Sequence, residues 1–271
     1  MMNIYAENLS KYFGRVAALA DVSFNIDAKR VVIIGQNGSG KSTLLSILYG
    51  LLHPSKGVLK INGYEPYRMR EKAAREMTIA FERPRFDVNV RVRDVYKIVR
   101  ENGDGDCIEL FWERIGVKNF AETFLPDLSS GQKQLVQLMQ AICRDSRIKV
   151  LDEPFSHLDV KNVELIGEYI LERDLEVVLT THLPEEAEWI GDYFVMLREG
   201  KLVWQGRVED IGGEDIYEVY LRYRVPSSLS VYSKLGYVAI VRSSYEELLE
   251  LLNENRIRGF KKLGVRRYFS D

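Results

Sequence analysis

Residues 35–42 read Gly-Gln-Asn-Gly-Ser-Gly-Lys-Ser, and this stretch decides the fold of the 271-residue chain. It matches the pattern G-x-x-x-x-G-K-[ST], in which glycines let backbone N–H groups turn towards phosphate oxygens. The β-branched run RVVII at 30–34 precedes it and is typical of a strand buried on both faces. A helical pattern follows at 41–52. A strand, a glycine-rich turn and a helix in this order predict a phosphate site at the helix N-terminus, where the helix dipole favours an anion.

The loop and the first helical residues supply the candidate phosphate ligands. These are Gly35, Asn37, Gly38, Ser39, Gly40, Lys41, Ser42 and Thr43. We expect the Lys41 ammonium to reach the terminal phosphates of a nucleotide, and the Ser42 hydroxyl to bind Mg²⁺.

Two further apolar runs end in polar residues that suit the same chemistry. IKVL at 148–151 is followed by Asp152 and Glu153, and EVVLT at 176–180 is followed by Thr181 and His182. Asp152 can hold Mg²⁺ through its hydration shell, and Glu153 can orient or deprotonate an attacking water. Buried strands that alternate with helices predict an α/β core.

Two other parts of the chain have different hydrophobic patterns from these buried strands. Residues 3–27 alternate in short runs and predict antiparallel strands, whereas residues from about 84 to 147 are mostly helical and include a loop, ENGDGD, at 101–106. The fold class is therefore α/β, a P-loop NTPase core with an N-terminal antiparallel β subdomain and an inserted helical subdomain. We assign this domain to residues 1–206.

Residues 207–271 are predicted to form a small C-terminal α+β module. Ile211-Gly212-Gly213 is interpreted as a hinge. The elements expected after it are strands at 216–223, 236–243 and 261–269, a short helix near 227–234 and a helix at 245–255. In the last helix, Leu248, Leu249, Leu251 and Leu252 share one stripe, which indicates core contact.

Composition excludes several classes. Lys plus Arg number 38 and Asp plus Glu 40, so the net charge of −2 argues against a broadly basic nucleic-acid binder, although a local patch would not show in the total. No run approaches the ~18 apolar residues of a membrane span, and the first residues lack the apolar core of a signal peptide. Cys107 and Cys143 match no metal or redox spacing, so we expect two separate buried thiols in a reducing compartment.

Six motifs in a fixed order resemble the ATPase subunit of ABC transporters over roughly residues 2–206. After the phosphate loop comes a segment similar to the LSGGQ signature, made of Leu128, Ser129, Ser130, Gly131 and Gln132. The others are VLDEP at 150–154, a D-loop at 156–159 that ends in Asp159, the switch histidine His182, and SKYFG at 10–14, with Phe13 as the base-stacking ring and Tyr12 as its alternative.

The resemblance implies an ATPase that uses ATP and Mg²⁺, with Glu153, His182 and Lys41 as catalytic residues. Two subunits would pair head to tail, so that the signature of one closes over the phosphate loop of the other. Asp159 would communicate across this dimer, or would simply cap a helix near Val160. The dimer would drive a separate permease from the cytoplasmic face of the membrane. The C-terminal tail looks like those of export-type relatives; a soluble ATPase of cofactor assembly or another cytosolic machine is the alternative.

Two positions depart from the family pattern. Ser130 replaces the first glycine of the signature, and Glu82 stands after TIAF (78–81) where the family has its Q-loop glutamine. As a carboxylate, Glu82 could bind Mg²⁺ directly, or take up a proton and act as glutamine does. It could also turn to solvent or pair with Arg83 or Arg85.

Overall fold

The computed structural model describes residues 1–207, 216–222, 225–226, 228–235 and 237–262. The chain divides into two compact units, Met1–Gln205 and Gly206–Asp271.

The first unit opens with a small antiparallel sheet, as the alternating pattern predicted. Its strands are β1 (Met2–Phe13), β2 (Val16–Ala28) and β4 (Lys56–Ile61), in the order β2-β1-β4. Alternate residues of β1 and β2 are buried against helix α1 and the central sheet, and the other face meets solvent.

A six-stranded sheet forms the centre of the same unit. Its strands are β3 (Arg30–Ile34), β5 (Met77–Ala80), β6 (Ile148–Asp152), β7 (Glu176–Thr181), β8 (Tyr193–Arg198) and β9 (Lys201–Arg207). They lie in the order β5-β6-β7-β3-β8-β9, and the first five are parallel. A parallel sheet is covered on both faces, which explains the unbroken apolar runs of β3, β6 and β7.

The register of the central strands places their polar ends together. Ile34 of β3 pairs with Thr181 of β7, and Asp152 of β6 pairs with Thr180 of β7. The phosphate loop, the acidic pair and His182 each begin where one of these strands ends, so all three meet at one edge of the sheet.

Helix α1 (Lys41–Tyr49) follows the phosphate loop and contacts β2 and β4 on one side and β6 and β7 on the other. It ends at Gly50, whose φ of 90° closes the helix, so the predicted extension to residue 52 is wrong. The other helices on this core are α2 (Arg70–Glu76), α6 (Val160–Glu172) and α7 (Pro184–Ile190).

Helices fill most of the insertion between β5 and β6, as predicted. They are α3 (Val92–Asn102), α4 (Gly105–Glu109), a π-helical turn (Leu110–Arg114), 3₁₀ turns at Val117–Phe120 and Leu125–Asp127, and α5 (Ser130–Cys143). The loop predicted at 101–106 is wrong, because α3 continues to Asn102 and α4 starts at Gly105. The Asp104 carboxylate caps α4 by accepting the Cys107 N–H at 2.8 Å.

The two cysteines are not separate thiols. Cys107 in α4 and Cys143 at the end of α5 form a disulfide, with their Cα atoms 5.2 Å apart. The sequence could not show this, since the two residues lie 36 positions apart and meet only when α4 packs beside α5. The prediction of isolated thiols, on which the reducing compartment was argued, is therefore corrected.

Over its described residues, the second unit is a four-stranded antiparallel sheet with one helix. Its elements are β10 (Ile216–Leu221), β11 (Ser230–Leu235), β12 (Val238–Arg242), α8 (Tyr245–Asn253) and β13 (Ile257–Lys262), and the sheet order is β11-β12-β10-β13.

Two details of the second unit differ from expectation, and a third prediction falls on residues that the structure does not describe. Strand β11 replaces the short helix expected near 227–234, because these residues pair with β12. In α8, Leu248 and Leu251 are buried, whereas Leu249 is exposed. The predicted hinge at 211–213 and most of the last strand, after Lys262, lie outside the described residues.

None of the helices in the described part of the chain combines the length and the apolar character needed to cross a lipid bilayer.

Candidate active site

The phosphate loop needs its glycines for two reasons. Gly38 and Gly40 have φ values of 82° and 102°, which side chains rarely tolerate. A Cβ on Gly35 would lie 2.3 Å from the Leu197 carbonyl oxygen, and one on Gly40 would lie 2.5 Å from that of Ala18. The glycines therefore allow the tight turn of the loop. The loop leads directly into α1, whose first N–H groups have no intrahelical acceptor and can bind an anion.

Lys41 is buried and its ammonium is folded back into this loop. It donates hydrogen bonds to the carbonyl oxygens of Gly35, at 2.8 Å, and Gln36, at 3.3 Å. The same nitrogen lies 3.1 Å from Glu153 Oε1. The structure thus joins the predicted phosphate-binding lysine to the predicted base.

Asp152 ends β6 and is buried. Its Oδ1 accepts hydrogen bonds from the Thr180 hydroxyl at 2.6 Å and from the Ser42 hydroxyl at 3.1 Å. Burial raises the pKa of the Asp152 carboxyl, while the two hydroxyls lower it and the charges of Glu153 and Glu82 raise it further. Two of the three residues predicted to bind Mg²⁺, Ser42 and Asp152, are therefore in direct contact, whereas the third, Glu82, pairs with Arg83.

Glu153 points away from Asp152, towards Lys41 and His182. Its backbone is left-handed, with a φ of 46°, which is uncommon for a residue other than glycine. Oε2 lies 2.8 Å from His182 Nδ1. Oε1 is buried and forms an ion pair with Lys41. Among the described residues, no group donates a hydrogen bond to it.

His182 follows β7, and its side chain is partly exposed. The turn that carries it is fixed by Thr181, whose hydroxyl donates to Glu186 Oε2 at 2.5 Å and accepts the Leu183 N–H at 3.0 Å. Burial raises the pKa of Glu186, against the hydrogen bond from Thr181. The imidazole is thus held between Glu153 and solvent.

The signature segment begins a helix. Helix α5 starts at Ser130, and Ser129 caps it by accepting the Gln132 N–H at 3.3 Å, while Gln132 Oε1 accepts the Ser129 N–H at 3.0 Å. Gly131 lies against the D-loop, since a Cβ there would be 2.9 Å from the His157 carbonyl oxygen. Leu128 is buried behind it.

The remaining candidate residues form their contacts with residues other than Lys41, Asp152 and Glu153. Asp159 caps α6 by accepting the Asn162 N–H at 2.9 Å, the alternative that its position allowed. Phe13 ends β1 with half of its surface exposed, and the Lys11 ammonium is 5.3 Å from its ring centre. Glu82 lies 3.4 Å from Arg83 Nε, as one of its alternatives anticipated.

Sequence reasoning missed two polar residues of the site, Thr180 and Glu186. Thr180 bridges Asp152 and Glu153, and Glu186 fixes Thr181. The sequence carried no signal for Thr180, because its place opposite Asp152 depends on the register in which Ile148 pairs with Glu176, and periodicity does not fix that register.

A phosphate loop after β3, with an acidic pair at the end of β6 on the same edge, defines a P-loop NTPase fold. The sequence profile of the family described as ABC transporter matches residues 19–156. The chain belongs to this family and corresponds to the ATPase subunit of such a transporter.

Three known proteins illustrate the likeness. An ABC transporter ATP-binding protein of Methanocaldococcus jannaschii is 31% identical over 228 residues, which cover 80% of this chain and 82% of that protein. The phosphonates import ATP-binding protein PhnC of Halobacterium salinarum is 31% identical over 237 residues, covering 81% and 84%. The fold is also that of a dimeric ATP-binding cassette solved in a post-hydrolysis state with ADP and Pi, with a TM-score of 0.61, 23% identity and coverage of 76% and 98%.

Proposed function

We propose that this chain hydrolyses ATP as half of a head-to-tail dimer and drives a separate membrane permease. The observation that carries the proposal is the convergence of Lys41, Glu153 and His182 beside the phosphate loop, with distances of 3.1 Å and 2.8 Å from the Glu153 carboxylate. Family membership supplies the nucleotide and the link to transport.

The nucleotide would lie between the end of β1 and the start of α1. Phe13 offers an exposed ring for the adenine to stack on, and Tyr12 beside it is exposed as well. The loop N–H groups and Lys41 would bind the phosphates. Lys41 would leave Glu153 for the terminal phosphate, which frees the carboxylate for its own task.

The residues present fit Mg²⁺. The Ser42 hydroxyl and the Asp152 carboxylate are hard oxygen donors in contact at 3.1 Å, and Asp152 is buried and forms no ion pair with the other described residues. When bound, the ion would offset negative charge on the phosphate oxygens. Glu82 could join them only by leaving Arg83.

Glu153 would act as the general base. It would accept a proton from a water whose oxygen bonds to the terminal phosphorus, while the bond to the leaving ADP oxygen breaks. His182 contacts Glu153 through Nδ1, so its Nε2 could meet the terminal phosphate.

Dimerisation would complete this site. Ser129, Ser130, Gly131 and Gln132 open α5, whose N-terminus can bind a second anion, and a two-fold pair would bring the α5 of each subunit to the phosphate loop of the other. Asp159, at the start of α6, would then lie at the interface. The dimeric ATP-binding cassette with this fold supports the arrangement.

Transport is the part of the proposal that needs a partner. The tail favours an exporter, whereas one relative is a phosphonate importer, so the permease would decide the direction. A soluble assembly role is the second candidate. Co-purification of the tagged chain from membranes with a polytopic protein would support transport; recovery in a soluble complex, with ATPase activity retained, would support the alternative.

We further propose that residues 207–271 are separable from the ATPase domain at 1–206. A chain that ends at Gly206 should fold and bind ATP with an affinity close to that of the full chain, because the site lies wholly in the first unit. Insoluble truncated protein, beside a full chain that ATP protects from proteolysis, would contradict the division.

A further inference from the structure

Thr180 occupies the penultimate position of β7, at the edge where the candidate catalytic groups meet. Its side chain is completely buried. In the parallel register it lies opposite Asp152. A buried hydroxyl at this place must satisfy its hydrogen bonds within the protein, and the partners it uses show what it does.

The Thr180 hydroxyl connects the two acidic residues. It donates its one proton to Asp152 Oδ1 at 2.6 Å and accepts the Glu153 backbone N–H at 2.8 Å. Since a hydroxyl has a single proton, these two bonds fix its orientation completely. One oxygen atom of the neighbouring strand therefore holds both the Asp152 carboxylate and the Glu153 backbone.

The bond to Glu153 holds a backbone that would otherwise relax. A φ of 46° is costly for glutamate, and such a conformation persists only where the surroundings fix it. The other side of the same residue is fixed as well, because its carbonyl oxygen accepts the Ser156 N–H at 3.2 Å and the Ser156 hydroxyl at 2.9 Å. With both backbone groups held, the carboxylate is aimed at Lys41 and His182.

We propose that Thr180 is a positioning residue for ATP hydrolysis, which sets the Asp152 carboxylate and the Glu153 backbone in one geometry through a single hydroxyl. Its side chain is fully buried, and it would act only through its two partners. The inference rests on the proposed function, and it adds a residue to which the family motifs give no part.

The test compares three substitutions. Thr180→Val keeps the shape and removes the hydroxyl, and Thr180→Ser keeps the hydroxyl and removes the methyl group. Thr78→Val is the matched control, because Thr78 is also a buried sheet threonine, whose hydroxyl donates to the Ala141 carbonyl oxygen at 2.7 Å, away from the site. Folding is checked by thermal denaturation, and ATPase kinetics are measured at saturating Mg²⁺.

Loss of the hydroxyl should lower kcat by about 10–100-fold, as losses of groups that orient active-site ligands typically do. The KM for ATP should change less than about threefold, since Thr180 does not bind the nucleotide. Mn²⁺ binding with a non-hydrolysable ATP analogue, followed by electron paramagnetic resonance, should weaken by about tenfold. Thr180→Ser and Thr78→Val should stay within about threefold of the native chain in every measurement.

Unchanged kcat and Mn²⁺ affinity in folded Thr180→Val, or failure of Thr180→Ser to retain them, would overturn the inference. If Thr180→Val does not fold, Thr180→Ala against Thr180→Ser isolates the hydroxyl in two chains that both lack the methyl group. If the native chain does not hydrolyse ATP, the proposed function fails by itself, and the Mn²⁺ measurement still decides whether Thr180 positions Asp152.

Discussion

The two edges of the central sheet carry their charges in opposite ways. At the amino edge, where β3 begins, Arg30 pairs with Asp192 at 2.6 Å and with Asp174 at 3.1 Å, and Lys29 also pairs with Asp174. At the carboxyl edge, Asp152 and Glu153 are both buried, and their nearest cation is Lys41, on Glu153. One edge has matched charges close to solvent; the other has more negative charge than its contacts balance.

This difference indicates what each edge is for. Matched ion pairs near the surface contribute modestly to stability and need no ligand. Two buried carboxylates beside one lysine have a cost that a bound cation would relieve, and burial accordingly raises the Asp152 pKa. Substitutions at the carboxyl edge should therefore change catalysis, and those at the amino edge should change only stability.

The largest effect is expected for Glu153→Gln. Loss of a general base typically lowers the rate by ~10²–10⁴-fold, while the amide leaves room for ATP. The variant should therefore accumulate as an ATP-bound dimer, which light scattering with ATP and Mg²⁺ would detect. Glu176→Gln, at the amino edge beside Arg147, is the control and should keep native turnover. A Glu153→Gln chain that turns over normally or stays monomeric would remove the contrast between the edges.

The residues of the candidate site and the disulfide differ in how far the sequence could predict their positions. GQNGSGKS is contiguous, and its strand, turn and helix are set by local geometry, so Lys41 and Ser42 could be placed beforehand. Thr180 depends on the register between strands 28 residues apart, which periodicity does not fix. The Cys107–Cys143 disulfide depends likewise on the packing of α4 on α5. Contacts between elements that are distant in the sequence therefore determine the features that the motifs alone could not predict.

Lys149 breaks the pattern, since it is a buried cation in β6, three residues before Asp152. Its ammonium donates to the Arg144 carbonyl oxygen at 2.5 Å and the Ser146 hydroxyl at 2.9 Å. Burial lowers the pKa of Lys149 from 10.5 to about 8. Between these values the unfolded chain binds a proton that the native chain does not, so the free energy of unfolding rises with pH across this window.

Lys149→Met should remove that pH dependence. The stability of the native chain relative to the variant should increase by about 3 kcal/mol from pH 7 to pH 10.5, because the burial cost of the charge disappears as Lys149 loses its proton. Urea denaturation of both chains at several pH values measures the difference, in which all other titrating groups cancel. Parallel curves would show that Lys149 keeps an ordinary pKa.

A smaller effect is expected at the amino edge from Asp192→Asn. The amide can still accept the Arg30 backbone N–H, which Asp192 now accepts at 3.1 Å, but the ion pair with the guanidinium is lost. The free energy of unfolding should fall by about 1 kcal/mol, less so in high salt, and ATPase activity should be native. A loss of activity without a loss of stability would mean that this edge also serves catalysis.

The smallest effect is expected for Glu82→Gln, which restores the glutamine of the family at the end of β5. Glu82 is partly exposed and lies 3.4 Å from Arg83 Nε, and a surface pair of this kind is worth about 0–1 kcal/mol. Its charge nevertheless contributes to the raised pKa of Asp152, so it belongs electrostatically to the carboxyl edge.

If Glu82 keeps its partner when ATP binds, the ATPase rate of Glu82→Gln should change less than about threefold at any Mg²⁺ concentration. If it leaves Arg83 to bind the metal, glutamine should raise the Mg²⁺ concentration needed for half-maximal activity, because a carboxylate is the better ligand. Arg83→Gln is the matched variant: by releasing Glu82 it should lower that concentration in the second case and change nothing in the first.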